Sequence, residues 1–266
     1  MVLQSEQRQQ SQASQGSGRK YGLIGRRLAH SFSPRYFGDF FAREGIDATY
    51  RAYELASIEE LPSLLAREPD LCGLNVTLPY KREVLRYVDI SSPDVEALQA
   101  ANVLRIRRSA TGLPGVYGYN TDVEGFRRSL STWLDGTRPR ALVFGSGGAA
   151  SAVLYALSLL GLEGLQVSRH PHLGMIAYEE LRGGLAEECR LWINATPVGL
   201  CPGELLPLPY EALSDQHLCY DLIYNPSPTA FLREAQLRGA QTKDGLEMLY
   251  IQADEAWKIW TTDEQV

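Results

Sequence analysis

ALVFGSGGAASAVLYALSLLG, residues 141–161, contains the signals of a strand, a tight turn and a helix in direct succession. Residues 141–144 form an uninterrupted apolar run, which is typical of a short strand buried on both faces. Gly145, Gly147 and Gly148 follow, and small and apolar residues then continue at helical spacing. The stretch therefore predicts one strand–helix unit of an α/β fold with a parallel sheet.

The spacing Gly145-x-Gly147-x-x-Ala150 fits the dinucleotide-binding fingerprint in its Ala-ending form. Its glycines permit the turn, the close approach of the backbone to a pyrophosphate, and close packing of helix on sheet. Unpaired N–H groups and the helix dipole favour negative charge at the start of the helix. The alternative interpretation is a glycine-rich turn that only packs a helix against a sheet.

The residues after the next predicted strand favour NADP over NAD. This strand, residues 165–167, ends in Ser168-Arg169-His170, with no Asp or Glu at its tip. An acidic side chain there would bind the ribose hydroxyls of NAD, whereas a guanidinium matches the oxygens of a 2′-phosphate. The alternative is that Arg169 is a solvated residue at a strand end.

Composition indicates an ordinary soluble globular protein with two modest domains. The chain has 266 residues, of which 44% are hydrophobic and 22% charged, and a net charge of −6. This balance argues against a nucleic-acid partner. The four cysteines lack CxxC spacing, so we expect no metal site. The sequence shows neither an apolar stretch of roughly 20 residues nor a signal-peptide core, so we expect no membrane association and a cytoplasmic location.

The N-terminal region combines a polar tail with a serine-containing motif. Residues 1–20 are rich in Gln and Ser and predict a disordered tail. A first strand is expected at residues 21–25, and Ser33 is expected to cap a helix that begins at Pro34. Ser31 and Ser33 either serve this helix start or grip a polyol or carboxylate.

Two further polar clusters follow predicted strands. In LCGLNVTLPYK, residues 71–81, Asn75 and Thr77 lie on one face of a strand end. Pro79 predicts a helix start with Lys81 in its first turn, where a cation is disfavoured. Lys81 is therefore either a solvated lysine or a residue kept for a reason other than helix stability. Asp122 precedes another predicted helix, as its N-cap or as a functional carboxylate.

The strand–helix alternation continues to the end of the chain. Predicted strands at residues 190–195 and 217–223 carry polar residues at their carboxyl ends, where a doubly wound sheet binds its ligand. A last amphipathic helix, residues 246–260, carries Gln252. A Gln that faces a cleft must find hydrogen-bond partners there, whereas on a helix surface it needs none.

Seven of these stretches, in order, resemble the shikimate dehydrogenase family. They are His30-Ser-Phe-Ser-Pro34, Gly73-Leu-Asn-Val-Thr-Leu-Pro-Tyr-Lys81, Asn120-Thr-Asp122, Gly145-Ser-Gly-Gly-Ala149, Asn194-Ala-Thr196, Tyr220-Asp-Leu-Ile-Tyr224, and Gly245-Leu-Glu-Met-Leu249 with Gln252. The resemblance implies an α/β protein of two domains. Residues 21–121 with 245–266 would form an N-terminal α/β substrate-binding domain. Residues 122–244 would form a Rossmann-like, doubly wound parallel-sheet domain that binds NADP.

The resemblance also implies roles for individual residues. Ser31 and Ser33 would bind the carboxylate of shikimate. The groups expected to contact its ring hydroxyls are Asn75, Thr77, Lys81, Asn102, Asp122 and Gln252, with Tyr224 nearby. The pyrophosphate loop would be Gly145, Gly147, Gly148 and Ala149, and the adenosine phosphate site Ser168 and Arg169. Near the nicotinamide the family pattern places Thr196, Leu222 and Gly245. Ser168-Arg169-His170 stands where the family commonly has Asn-Arg-Thr, which leaves the strength of the NADP preference open.

The implied activity is the NADPH-dependent, reversible reduction of 3-dehydroshikimate to shikimate, on the route to chorismate and the aromatic amino acids. Reduction of a ketone requires an acid and positive charge beside the developing alkoxide, and Lys81 paired with Asp122 would supply both. One alternative is a quinate or quinate/shikimate dehydrogenase that uses NAD, against which Ser31, Ser33 and Arg169 weigh. Another is a non-catalytic sensor of pathway ligands, which would not need the Lys81–Asp122 pair. The sequence leaves open a monomer or a homodimer.

Overall fold

The structure, a computed structural model, describes residues 18–29, 31–109, 112–182 and 184–262. Residues 1–17 of the predicted tail lie outside this range, as does His30 of the first motif. The predicted tail extends too far, because the first strand already begins at Arg19. Its start is fixed by Lys20, whose backbone N–H donates to Asp70 O (3.1 Å) and whose Nζ donates to Glu68 Oε2 (2.7 Å).

The described residues form an alternation of strands and helices along the whole chain. The strands are β1 Arg19–Gly25, β2 Ala48–Glu54, β3 Leu71–Val76, β4 Ile90–Ser91, β5 Val103–Arg108, β6 Pro114–Tyr119, β7 Ala141–Phe144, β8 Gly164–Val167, β9 Met175–Ile176, β10 Leu191–Asn194, β11 Leu218–Asp221 and β12 Gln241–Lys243. The helices are α1 Ser33–Glu44, α2 Leu61–Arg67, α3 Pro93–Leu98, α4 Thr121–Leu134, α5 Gly148–Leu159, α6 Leu185–Glu188, α7 Ala230–Leu237 and α8 Leu246–Thr261. Short 3-10 turns supplement them, among them Ile58–Glu60 and Glu83–Tyr87.

By its internal contacts the chain divides into two compact units. One comprises Met1–Asp89 with Leu104–Tyr117, and the other comprises Ile90–Val103 with Gly118–Val266. This grouping assigns α8 to the second unit, whereas the family resemblance assigns the end of the chain to the substrate-binding domain. The functional division of the chain therefore stays a prediction.

The first sheet has the strand order β2-β1-β3-β5-β6-β4. β1 is buried along most of its length and runs parallel to β2 on one side and β3 on the other. In this register Leu23 lies opposite Ala52 of β2 and Asn75 of β3. The carboxyl ends of all three strands consequently meet at one edge of the sheet, with the predicted Asn75 and Thr77 beside the loop that follows β1.

The second sheet has the order β12-β11-β10-β7-β8-β9, and every neighbouring pair is parallel. Counted from β7, this is the 3-2-1-4-5-6 order of a doubly wound dinucleotide-binding fold, with its topological switch between β7 and β10. Successive residues of a strand face opposite sides. Accordingly Leu142 and Phe144 belong to one apolar cluster and Ala141 and Val143 to another. The predicted α/β fold class is confirmed.

Two local predictions about helix starts, at Pro79 and Ser33, are wrong, and one of the two alternatives for Asp122 is excluded. Pro79 does not begin a helix, because residues 78–82 form turns in which Tyr80 N–H donates to Thr77 O (3.0 Å) and the buried Tyr80 hydroxyl donates to Leu55 O (2.6 Å). Lys81 therefore lies in a turn ahead of the 3-10 helix Glu83–Tyr87.

The other two corrections concern helix caps. Ser33 is the first residue of α1, and the preceding Phe32 occupies the cap position without a side-chain hydrogen bond. In α4 the cap is Asn120, whose side-chain oxygen accepts from Asp122 N–H (3.1 Å). The carboxylate of Asp122 is thus not used as the cap of its own helix.

No helix in residues 18–262, as far as they are described, has both the length and the apolar character needed to cross a membrane. Within the same residues, no three His, Cys, Asp or Glu side chains are grouped so as to hold a metal ion.

Candidate active site

The turn between β7 and α5 requires glycine at its first position. Gly145 has a φ of 122°, and a Cβ there would lie 3.0 Å from the carbonyl oxygen of Ala195 and 3.2 Å from Cγ2 of Thr196. The backbone of this residue is held on both sides, since its N–H donates to Val167 O (2.9 Å) and its carbonyl accepts from Gln166 Nε2 (2.9 Å). Any larger residue would push the loops after β7 and β10 apart.

The start of α5 is open to an anion. Its cap is Gly147, the cap makes no side-chain hydrogen bond, and the first turn contains no acidic residue. A Cβ added to Gly147 or Gly148 would meet no described atom within 4 Å, and residues 146–149, which include Ala149, are exposed. The N–H groups and the dipole at this helix start therefore form an exposed cradle for a phosphate group.

The end of β8 presents a cation beside this cradle. Ser168 is buried, its N–H donates to Ile176 O (3.0 Å), and its hydroxyl accepts from His170 N–H (3.2 Å). Arg169 is exposed, and residues 168–172 contain no carboxylate. An exposed guanidinium without an acidic neighbour in this segment suits a 2′-phosphate rather than two ribose hydroxyls.

A buried carboxylate fixes the loops after β10 and β11. Asp221 is fully buried and accepts from Asn194 Nδ2 (3.0 Å), from Ile223 N–H (3.0 Å) and from the Thr229 hydroxyl (2.6 Å). Burial raises the pKa of Asp221 to about 6, and these three hydrogen bonds oppose the shift. The cluster of Asn194, Asp221 and Thr229 is called the Asp221 cluster below.

The Asp221 cluster positions predicted cofactor residues that it does not itself include. Asn194 Oδ1 accepts from both the N–H (3.0 Å) and the hydroxyl (2.7 Å) of Thr196, and the Leu222 N–H donates to Asn194 O (3.0 Å). Gly245 packs so closely on Leu222 that a Cβ would collide with the Leu222 carbonyl. Thr196, Leu222 and Gly245 are consequently held at the carboxyl edge of the second sheet, as is Gly145.

In the second unit two of the predicted substrate residues, Asn102 and Asp122, are in contact, and a third, Gln252, packs against the same helix as Asp122. Asn102 is buried, and its Nδ2 donates to Asp122 Oδ1 (2.9 Å) and to the Thr121 hydroxyl (3.1 Å). Helices α4 and α8 pack closely, because a Cβ on Gly125 would lie 3.2 Å from Cβ of Gln252. Gln252 therefore lies one helical turn from Asp122 along the same helix pair. Tyr224 is partly buried in the loop after β11, and this burial raises its pKa.

In the first unit the predicted substrate residues gather at the carboxyl edge of the first sheet. The Tyr50 hydroxyl donates to Asn75 Oδ1 (2.7 Å) and is also hydrogen-bonded to Ser33. Thr77 packs against the end of β1, since a Cβ on Gly25 would lie 2.6 Å from its Cγ2. Ser31 lies in the loop that follows β1, and Lys81 lies in the turn that follows β3. Lys81 belongs to one unit and Asp122 to the other, so their pairing stays a prediction.

Comparison with known proteins identifies the family. Residues 23–104 match the family model described as the shikimate dehydrogenase substrate binding domain. The chain is 34% identical over 261 residues to a shikimate dehydrogenase (NADP(+)) of Caldicellulosiruptor saccharolyticus, covering 91% of this chain and 92% of the relative. The chain belongs to the shikimate dehydrogenase family. The family predicted from the sequence motifs is confirmed.

Solved structures of the shikimate dehydrogenase fold agree with this assignment. Shikimate 5-dehydrogenase from Thermus thermophilus, in complex with NADP(H) and shikimate, aligns with a TM-score of 0.80 at 33% identity, covering 91% of this chain and 93% of that chain. A quinate dehydrogenase from Corynebacterium glutamicum in complex with NAD aligns with a TM-score of 0.79 at 28% identity. The alignment covers 92% of this chain and 94% of that chain. Because both align almost equally well, overall shape does not separate these activities, and individual residues must do so.

Three residues of these clusters were not predicted from the sequence. Asp221 was assigned no role, and Thr229, which completes the Asp221 cluster, was not singled out. Neither was Tyr50, which joins Ser33 to Asn75. The signal for Asp221 was an acidic residue at the end of an otherwise apolar strand. Tyr50 offered no comparable signal, because aromatic residues are common in strands.

Proposed function

We propose that this protein catalyses the NADPH-dependent, reversible reduction of 3-dehydroshikimate to shikimate, in the biosynthesis of chorismate and the aromatic amino acids. The observation that carries the proposal is the edge of the second sheet at its topological switch. There the glycine turn, the exposed Arg169 and the loop of Thr196 follow parallel strands. Membership of the shikimate dehydrogenase family supplies the substrate.

The described residues fit NADP. Gly145, Gly147, Gly148 and Ala149 would hold its pyrophosphate through backbone N–H groups, since the start of α5 is uncapped by side chains and free of acidic residues. Ser168 and Arg169 would hold the 2′-phosphate. Thr196, Leu222 and Gly245 would line the nicotinamide end. When bound, NADPH supplies the hydride that reduces the ketone carbon.

Substrate binding would rest on hydroxyl and amide groups. Ser31 and Ser33 would bind the carboxylate of the substrate, as the family resemblance implies. The groups proposed for its ring hydroxyls are Asn75, Thr77, Asn102 and Gln252, with Tyr224 nearby. Hydroxyls and amides both donate and accept, which suits a ligand that carries several hydroxyl groups.

Lys81 and Asp122 would carry out the proton transfer. As the ketone is reduced, negative charge develops on its oxygen, and the Lys81 ammonium would stabilise this charge and donate the proton. The Asp122 carboxylate would orient the ammonium and accept a hydrogen bond from the substrate. Asn102 Nδ2, which donates to Asp122 Oδ1 (2.9 Å), holds this carboxylate in one orientation. In the direction of shikimate oxidation the same lysine, deprotonated, would accept the proton.

We further propose that the enzyme acts in the cytoplasm, as a monomer or homodimer. We also propose that residues 21–121 with 245–266 bind the substrate and that residues 122–244 bind NADP. The negative net charge of −6 gives no support to a nucleic-acid partner.

The test is the oxidation of shikimate and of quinate by the purified protein, with NADP or NAD, followed by absorbance of the reduced nicotinamide. We expect turnover with shikimate and NADP, and a kcat/KM about tenfold or more lower when either compound is replaced. Comparable rates with quinate or NAD would identify the enzyme as a dual-specificity dehydrogenase. Binding of shikimate without any turnover would identify a sensor and overturn the proposal.

A further inference from the structure

Tyr50 lies where it can act on the proposed substrate residues without being one of them. It stands in the middle of β2, opposite Tyr21 of β1, and Asn75 of β3 is opposite Leu23, two residues further along β1. In a parallel sheet, residues in register and residues two apart share a face. Tyr50 and Asn75 therefore lie on one face of the sheet, and the Tyr50 side chain reaches across β1 to Asn75.

The ring of Tyr50 is fixed by packing. It stacks on Phe37 of α1, with ring centroids 4.6 Å apart and an interplanar angle of 13°. Phe37 is itself buried and also contacts Phe41. Two aromatic planes in this arrangement restrict the direction in which the phenol can point. The Tyr50 hydroxyl is thus held at a defined place near the start of α1 and the end of β3.

The hydrogen bond from Tyr50 determines the orientation of the Asn75 amide. A phenol has one proton to donate, and the atom 2.7 Å away is Asn75 Oδ1. With its oxygen bound to Tyr50, the amide must direct its NH2 group elsewhere, and Asn75 is only partly buried. Burial raises the pKa of Tyr50, so the phenol stays protonated and remains a donor at neutral pH.

The Ser33 side chain is also hydrogen-bonded to the Tyr50 phenol. Tyr50 therefore connects two residues proposed for the substrate, one at the start of α1 and one near the end of β3. An amide that is held in one orientation before the ligand arrives loses less entropy on binding.

We infer that Tyr50 is a positioning residue for substrate binding, which holds the Asn75 amide with its NH2 group toward the substrate. This inference rests on the proposed function, because it takes Asn75 as a substrate contact. It assigns Tyr50 no contact with the reacting atoms. Its effect is expected on the binding of shikimate and not on the chemical step.

The test is the Tyr50→Phe variant, which keeps the ring and its stacking on Phe37 and removes the hydroxyl. We expect KM for shikimate to rise about tenfold, with kcat within about twofold of wild type and KM for NADP unchanged. The matched control is Tyr53→Phe. Tyr53 lies on the same strand but faces the other side of the sheet, and its buried hydroxyl has no hydrogen-bond partner among the described residues. Its removal should leave KM for shikimate unchanged.

A double-mutant cycle separates positioning from general packing. If Tyr50 acts through Asn75, the Tyr50→Phe/Asn75→Ala double variant should bind shikimate about as weakly as Asn75→Ala alone. Isothermal titration with shikimate gives these affinities independently of turnover, and thermal unfolding shows that each variant is folded. The inference would be overturned if the losses of shikimate affinity in Tyr50→Phe and Asn75→Ala added up in the double variant, or if KM for shikimate were unchanged in Tyr50→Phe. Either result would leave the proposed function intact. A wild-type protein that neither binds nor oxidises shikimate would overturn both.

Discussion

The two sheets end in sites of different construction. At the carboxyl edge of the first sheet, side chains are the candidate ligands, with the Tyr50 hydroxyl bound to Asn75 and Lys81 in the following turn. At the carboxyl edge of the second sheet, the glycine turn offers backbone N–H groups, and the conspicuous polar side chains of the Asp221 cluster are buried beneath the loops. Removing a side chain at the first sheet should therefore impair the reaction with the substrate. Removing one of the buried side chains at the second sheet should instead disturb the loops, and adding a side chain to the glycine turn should weaken the binding of NADP.

The largest effect is expected where a side chain supplies the chemistry. Lys81→Ala removes the proposed acid, so kcat for shikimate oxidation should fall by about 10²–10⁴ while NADP still binds. Steady-state kinetics and fluorescence titration with NADP measure the two quantities. Arg82→Ala, which removes the exposed cation next along the chain, is the control and should retain kcat within about twofold. An unimpaired Lys81→Ala enzyme would remove Lys81 from the mechanism.

The next largest effect is expected on stability, in the Asp221 cluster. Asp221→Ala leaves the donors of Asn194, Ile223 and Thr229 without their acceptor, so the free energy of unfolding should fall by about 3 kcal/mol. Urea unfolding measures the loss. The exposed Asp215 provides the control, since Asp215→Ala should change stability by less than about 0.5 kcal/mol.

The difference in stability between the wild type and Asp221→Ala should depend on pH. Because the pKa of Asp221 is raised from 3.8 to about 6 in the folded protein, the native state binds more protons than the unfolded state between these values. The contribution of Asp221 to stability is thus largest below about pH 4 and decreases as the pH rises through 6. The deficit of Asp221→Ala relative to wild type should be larger at pH 5 than at pH 7, and a deficit that grows with pH would contradict the assignment.

A smaller effect is expected from adding a side chain to the glycine turn. A Cβ at Gly148 meets no described atom, so Gly148→Ala should fold at least as stably as wild type, yet its methyl group would occupy the proposed pyrophosphate cradle. KM for NADP should rise about thirtyfold, with KM for shikimate unchanged. Gly38→Ala, also helical and also open at Cβ, is the matched control. Equal NADP binding in the two variants would argue that the cradle does not hold the cofactor.

The smallest effect is expected at Arg169, the only charged side chain proposed to bind the cofactor, through the 2′-phosphate of NADP. Arg169→Ala should lower kcat/KM for NADP about tenfold and leave kcat/KM for NAD unchanged, because only NADP carries the 2′-phosphate. Arg190→Ala removes an exposed arginine at the opposite, amino end of β10 and should change neither value. A parallel loss with both cofactors would mean that Arg169 does not discriminate between them.

How far the sequence predicts this molecule depends on how local each feature is. The strand, turn and helix at residues 141–161 were predictable because their signals are contiguous, and Gly145 does occupy a backbone conformation suited to glycine. The helix start predicted at Pro79 is wrong, because a proline has the same local sequence signal at the start of a helix and within a turn.

Features that depend on distant strands could not be predicted. The Asp221 cluster joins β10, β11 and the start of α7, and the Tyr50–Asn75 contact crosses an intervening strand. No local pattern specifies such a pairing. The role of Asp122 stays a prediction, and its hydrogen bond to Asn102 became visible only in the folded structure, because the two residues lie on separate segments of the chain.

The central claim is that hydride passes from NADPH to the ketone carbon of 3-dehydroshikimate. The most direct measurement incubates the wild-type enzyme with 3-dehydroshikimate and NADPH deuterated at both C4 positions, and determines the product by mass spectrometry and NMR. The account predicts shikimate with one deuterium, on the carbon that bore the ketone. Unlabelled shikimate, or no product in the presence of bound substrate, would contradict it.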